Sequence, residues 1–359
     1  MHRSVARFSV SFGAIAALAT AIGCGDKFNG LNVVTPVTPV VQEFAQTNLV
    51  ADVASIGAKT VDANLVNPWG MAFGSTGVLW VANNGTGTST TYAQDGTKQS
   101  LTVTIPGAAA GETGVPTGMI FNSTTDFSLS NGSPALFLFA AEDGTISAWN
   151  TGTTASIVSD RSATGAVYKG LAMAANAGAN FLYATNFHAG TVDVFDKNFA
   201  FVKSFSDATI PAGFAPFGIA NINGSLYVTY AKQLAPDNTD DEAGVGNGFV
   251  DVFNADGTLA RRFVSQGSLN SPWGIAVAPT GFGSLGGDVI IGNFGDGLIG
   301  AYDPNTGALV EMLHGVDGAQ IAIPGLWQLL PAPGGGPTLF FSSGPNDETH
   351  GLVGTLTPK

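Results

Sequence analysis

The 359-residue chain has one cysteine, four histidines and few charges. A single cysteine excludes an intramolecular disulfide and any cysteine-rich metal site. Charged residues make up 11% of the chain, against about 25% in an average soluble protein. Thirteen basic residues face 26 acidic ones, a net charge of −13. Such a chain repels phosphate backbones, which argues against nucleic acid as a partner. No G-x-S-x-G elbow of a serine hydrolase occurs. Gly85-Thr86-Gly87-Thr88-Ser89-Thr90 is rich in glycine and hydroxyls but lacks the lysine of a phosphate loop. Beyond residue 24, no stretch combines helical length with helical spacing and freedom from glycine. Glycine is abundant instead, with 49 residues beside 18 prolines. That composition suits many short strands joined by tight turns.

The first segment reads as an address. Arg3 and Arg7 precede an uncharged apolar run over residues 8–22. Those residues are short for a membrane span, which needs about 20, and have the pattern of a secretory signal over residues 1–23. Ala21-Ile22-Gly23-Cys24 resembles the lipobox of bacterial lipoproteins, with Ala21 where leucine is preferred. The resemblance implies a lipid on Cys24 and anchoring to a bacterial membrane, in the periplasm or at the cell surface. The other reading is ordinary cleavage after a small residue, which leaves Cys24 free. Removing residues 1–23 takes away two arginines and no acid, leaving 11 basic against 26 acidic residues. Residues 24–44 carry Gly25, Asp26, Asn29, Gly30, Pro36 and Pro39 without a hydrophobic period, and read as a flexible tether.

Internal repetition organises the remainder. Asn67-Pro68-Trp69-Gly70 recurs as Val115-Pro116-Thr117-Gly118, Val167-Tyr168-Lys169-Gly170, Ala215-Pro216-Phe217-Gly218 and Ser271-Pro272-Trp273-Gly274. A weaker sixth copy, Leu326-Trp327-Gln328-Leu329, has Gln328 in the glycine position. In each unit a second apolar run, an Asn/Asp/Gly-rich turn and a third run ending in an aromatic residue follow. Four short strands per unit and a period near 50 residues describe a propeller blade. The expected fold is all-β: a six-bladed β-propeller of four-stranded antiparallel blades, one domain over residues 45–359. The sixth unit has only three candidate strands. An N-terminal strand over residues 47–53, paired with residues 351–356 of the last blade, would close the ring and remove its exposed edges.

With these segments in view, the chain resembles the NHL and YWTD group of six-bladed propellers. It is also similar to a family of exported bacterial propeller proteins without an established activity. The segments carrying that similarity include Asn186-Phe187-His188-Ala189-Gly190, Leu226–Lys232, Gly292-Asn293-Phe294-Gly295-Asp296-Gly297 and Asn346-Asp347-Glu348-Thr349-His350-Gly351. The resemblance implies the fold and export; fold alone does not specify function.

In propellers the turns between the second and third strands gather at one mouth of the central channel. Here those turns carry Asn83, Asn84, Glu142, Asn186, His188, Lys232, Asn293, Asp296, Asp347, Glu348 and His350 as candidate ligand-binding residues. Asn and Asp are also ordinary turn formers. His188, Lys232 and His350 are not. Glu142, Asp296, Asp347 and Glu348 are the carboxylates expected to hold a metal if they converge, since Ca²⁺ takes 6–8 oxygens. Adding His188 and His350 would suit Zn²⁺ or another transition metal. The acidic segment 232–248 fails the EF-hand pattern, with Glu242 where glycine is required; it reads as a solvated surface loop in preference to a mobile acidic lid over the channel mouth. Two functions follow. One is a binding module that presents its channel mouth to a protein, peptide, glycan or small molecule. The other is a metal-dependent lyase or hydrolase with His188 or His350 as acid/base.

Overall fold

The computed structural model describes residues 41–359. The expected signal segment, Cys24 and the greater part of the expected tether lie outside the described residues. Six antiparallel sheets form the blades. Blade 1 comprises Pro68–Phe73, Leu79–Asn83, Thr88–Tyr92 and Lys98–Thr104. Blade 2 comprises Pro116–Phe121, Phe137–Ala141, Thr145–Trp149 and Ser156–Asp160; blade 3, Tyr168–Asn176, Ala179–Asn186, Thr191–Phe195 and Phe201–Phe205. Blade 4 comprises Phe214–Ile222, Ser225–Lys232, Gly248–Phe253 and Leu259–Ser265; blade 5, Pro272–Val277, Val289–Asn293, Ile299–Tyr302 and Leu309–Met312.

Blade 6 takes Leu326–Pro331, Leu339–Ser343 and Leu352–Pro358 from the end of the chain and Glu43–Ala51 from its start. The two chain ends pair antiparallel, from Phe44 opposite Pro358 to Ala51 opposite Leu352. The expected closure is therefore present, with the N-terminal strand starting a few residues earlier than its sequence pattern indicates. His314–Gly315 and Thr60–Val61 add short parallel pairings to this strand. Asp52, just past it, clamps the last blade: its Oδ1 accepts from Gly351 N at 2.9 Å and its Oδ2 lies 2.7 Å from His350 Nδ1.

The repeated glycine has a steric reason. A Cβ on Gly218 would lie 2.1 Å from Trp273 O, and one on Gly274 would lie 2.4 Å from Trp327 O. Inner strands of neighbouring blades approach that closely, so only glycine fits. At the sixth copy Gln328 extends across instead, its Oε1 accepting from Met71 N of blade 1.

The residue before each of the five glycines, and before Gln328 in the sixth copy, lies at the inner end of its blade. In blade order these are Trp69, Thr117, Lys169, Phe217, Trp273 and Trp327, all buried. Trp69, Phe187, Phe217, Trp273 and Trp327 pack together as an aromatic plug. Trp69 stacks on Trp327 at 3.4 Å between ring centroids, and Phe294 stacks on the other side of Trp327 at 4.0 Å. Such contacts add to the burial of large apolar area and turn the channel mouth into a shallow bowl with an aromatic floor.

Candidate functional site

One charge lies in the axial ring. Lys169 is buried, and its Nζ pairs with Glu142 and, at 3.0 Å, with Asp240 Oδ1. The ammonium also lies 5.2 Å from the centre of the Trp69 ring and 5.9 Å from that of Phe187, within cation–π range. Burial alone would lower the lysine's pKa. The charges of Glu142 and Asp240 outweigh it and shift the pKa up, so the amine is a fixed cation.

A chain of polar groups runs across the mouth from this cation. Glu142 Oε2 accepts from Asn84 Nδ2 at 2.8 Å. Asn67 Nδ2 reaches Asn84 Oδ1 at 3.4 Å and donates to Glu348 Oε2 at 2.5 Å. Asn67 Oδ1 accepts from the indole of Trp327 at 2.9 Å. Burial pushes the Glu348 carboxyl up to about 7, helped by the charges of Glu142 and Asp240 and opposed by Asn67 and Lys169. Asp241 is also shifted up by burial, and its Oδ2 is enclosed without a hydrogen-bond partner.

Beside this chain, between blades 5 and 6, an open cleft of about 640 Å³ is walled by Phe294, Asp296, Gly325, Asp347, Glu348 and, from blade 4, Ala243. Asp296 is held by Asn270 Nδ2 and Leu298 N, each at 3.0 Å. Asn346, Asp347 and Glu348 all have left-handed φ, at 56°, 52° and 63°. That conformation is unfavourable by about 1–2 kcal/mol per residue for side-chain-bearing residues, and strain of this kind gathers at functional sites. Its consequence here is geometric: the sharp turn brings two successive carboxylates to the cleft.

The residues expected from sequence separate into three groups. Glu142 and Asn84 lie in the polar chain, Glu348 in both chain and cleft, and Asp296 and Asp347 on the cleft wall. Asn83, Asn186 and Asn293 are buried at the ends of second strands; the first two serve their own blade's turn, and Asn293 ties its turn to the connection between blades 4 and 5. Asn83 Nδ2 donates to Thr88 and Thr90, Asn186 Nδ2 to Asp193, and Asn293 Nδ2 to the carbonyl of Ser268. The third group lies apart from the cleft. Lys232 pairs with Glu242 at 2.7 Å near the surface, and His188 is exposed with no hydrogen bond from its ring among the described residues. His350 is engaged by Asp52 at the ring closure.

Two observations bear on the expectations. Among the described residues, no three of His, Cys, Asp and Glu gather closely enough to hold a metal ion. Glu142, Asp296, Asp347 and Glu348 therefore do not form the expected ligand set for Ca²⁺, nor do they join His188 and His350 for Zn²⁺. The physical reason is that Glu142 is taken by Lys169 and Asn84, Asp296 by Asn270 and its own turn, and Glu348 by Asn67. The chain supplies the compensating cation itself. The acidic insertion of blade 4 is also not a purely solvated loop, because Asp240 turns inward to Lys169.

Lys169, Asn67, Asp240 and Asp241 were not among the candidates. Lys169 had a readable signal: of the six residues before the anchor position, it alone is charged. Asn67 precedes Pro68 with φ 46°. Nothing in the spacing of Asp240 announces its partner, which lies 71 residues away.

The fold and mouth define a six-bladed propeller with a plugged channel and an acidic bowl at one end. The chain is 35% identical to an uncharacterized protein of Acanthamoeba polyphaga mimivirus, over 83% of this chain and 76% of that one. A second uncharacterized protein of the same virus is 34% identical over 91% of both chains. The chain belongs to the family of these viral proteins, whereas the repeats had pointed to exported bacterial propellers. No family model matches it. Among solved structures, virginiamycin B lyase from Staphylococcus aureus superposes with a TM-score of 0.53 at 15% identity, over 88% of this chain and 99% of that one. A streptogramin B lyase gives 0.54 at 11% identity, over 89% and 98%. Likeness at this level establishes the shared propeller fold.

Proposed function

We propose that the protein is a binding module whose channel mouth receives an organic cation: a primary ammonium or guanidinium group carried by a small molecule or by a peptide side chain. The observation that carries this reading is the cleft between blades 5 and 6, which Asp296, Asp347 and Glu348 line together with Phe294. Carboxylates attract the charge, and an aromatic ring favours a cation over a neutral group. The carboxylates are too dispersed for a single metal ion, but an extended organic cation can reach more than one of them. Lys169 neutralises only part of the surrounding charge, since Glu142, Asp240, Asp241 and Glu348 all act on it or on one another. An incoming cation would relieve that excess.

Calorimetric titration with arginine, lysine and spermidine, with glutamate as control, tests the reading. The cations are expected to bind and glutamate not to. Asp347→Asn and Glu348→Gln should each weaken binding by about 5- to 10-fold, the loss of one charge contact. Absence of binding by all three cations at millimolar concentration would overturn it. We further propose that residues 1–23 direct export and that Cys24 carries a lipid anchor. Incorporation of labelled palmitate into the parent but not into Cys24→Ala tests this.

A further inference from the structure

The segment between the second and third strands of blade 4, residues 233–247, is the longest of the six corresponding turns. Its first half is a hairpin closed on itself. Leu234 N donates to Asp240 O at 2.7 Å, Asn238 N to Leu234 O at 3.0 Å, and Glu242 N to Lys232 O at 2.7 Å. Gln233 pairs with Asp241 across it. A segment bonded internally moves as a unit.

Among the described residues, the hairpin is anchored at its base by Gln233, whose N donates to Gly213 O and whose Nε2 donates to Phe187 O, each at 2.7 Å, whereas its tip, residues 234–240, makes one polar contact outside the hairpin: Asp240 Oδ1 with Lys169 Nζ at 3.0 Å. The two partners are unequal. The lysine side chain is 1% exposed and that of Asp240 is 72% exposed. If the contact breaks, Asp240 is already hydrated, and Lys169 keeps Glu142. A pair with one partner in water is easier to open than a fully buried one. On the return limb, Ala243 forms part of the cleft wall and Gly244 N donates to Asn270 Oδ1 at 2.6 Å.

We propose that this hairpin is a strap across the channel mouth, latched by Asp240 on Lys169, and that its release widens the cleft toward Lys169 and Glu142. The purpose of the strap rests on the cation-binding reading above. A ligand cation competes with Lys169 for Asp240, so its arrival favours release. The latch itself is independent of any ligand.

Hydrogen exchange, read by mass spectrometry on the full chain, tests the latch. Asp240→Asn and Lys169→Met should each speed exchange in residues 233–247 by about 10-fold or more, because local opening becomes more frequent. Exchange in the inner strands should not change. Asp237→Asn, on the same hairpin and away from Lys169, is the control and should leave exchange unaltered. Asp240 is exposed, so its replacement preserves the fold even if Lys169→Met does not. Unchanged exchange in Asp240→Asn, or an equal rise in Asp237→Asn, would overturn the proposal. The experiment contains no ligand, so failure of arginine to bind the parent would remove the ligand reading and leave the strap standing.

Discussion

Glu348→Gln should stabilise the protein at pH 8 while weakening cation binding. Burial, aided by the charges of Glu142 and Asp240, raises the Glu348 carboxyl from 4.5 to about 7 in the folded state. The folded protein therefore holds this proton more tightly than the unfolded chain does. The resulting stabilisation is complete below pH 4.5, is lost as pH rises toward 7, and changes no further above that. A rise of this size corresponds to about 3 kcal/mol, at about 1.4 kcal/mol per pH unit. Partial exposure and solvent screening reduce it to about 2 kcal/mol. Glutamine keeps an acceptor for Asn67 Nδ2 and cannot ionise. Urea unfolding followed by tryptophan fluorescence at pH 4.5, 6, 7 and 8 measures the difference directly. The variant should exceed the parent by about 2 kcal/mol at pH 8 and match it within about 0.5 kcal/mol at pH 4.5. A variant no more stable than the parent at pH 8, or a gap independent of pH, refutes the reasoning. A binding carboxylate that destabilises its own fold is the trade-off expected of a functional site.

Gly218→Ala places a methyl group 2.1 Å from Trp273 O and should lower stability by about 3 kcal/mol or more in chemical unfolding; Gly178→Ala, with open space around it, should cost about 1 kcal/mol through its positive φ. Asp52→Ala removes both bonds to the last blade and should cost about 2 kcal/mol, visible as a fall in Tm. His350→Ala should cost part of that, and His188→Ala nothing measurable. Arg262→Met leaves Asp207 and the raised carboxyl of Asp251, at about 6, without their shared cation. Its destabilisation, about 3 kcal/mol at pH 8, should shrink as the pH falls toward 6, because without Arg262 the Asp251 carboxyl takes up its proton at higher pH than in the parent.

The architecture was legible because it repeats. A backbone requirement met six times leaves six copies of a short pattern, and glycine at 70, 118, 170, 218 and 274 marks the same close approach between inner strands. The closing strand was legible by subtraction, since the sixth unit lacked a fourth strand. Three of the candidate asparagines also have structural partners. Asn83, Asn186 and Asn293 occupy equivalent buried positions at the ends of second strands, where each side chain bonds neighbouring structure. Lys169 was overlooked because it replaces a residue within the repeat. Its partners could not be read at all, because Glu142 and Asp240 come from the blades on either side and only the packing of blades 2, 3 and 4 brings them to it.

This contrast indicates where function lies in such a fold. Six equivalent backbones can by themselves build only a symmetric channel, so a mouth that recognises an asymmetric ligand must be made from departures from the repeat. The chief departures converge. Lys169 replaces an aromatic or small residue at the axis, the insertion 233–247 reaches that lysine through Asp240, and the turn 344–351 carries three left-handed residues that bring Asp347 and Glu348 to the cleft. Each is unfavourable by itself: a buried amine, an elongated loop and a strained backbone. Together they offset one another in part, because the amine binds the loop and tempers the carboxylates. The offset is incomplete, as the raised carboxyls of Glu348 and Asp241 record. That residual negative charge is the driving force available to a cationic ligand, and it is the quantity that Glu348→Gln removes.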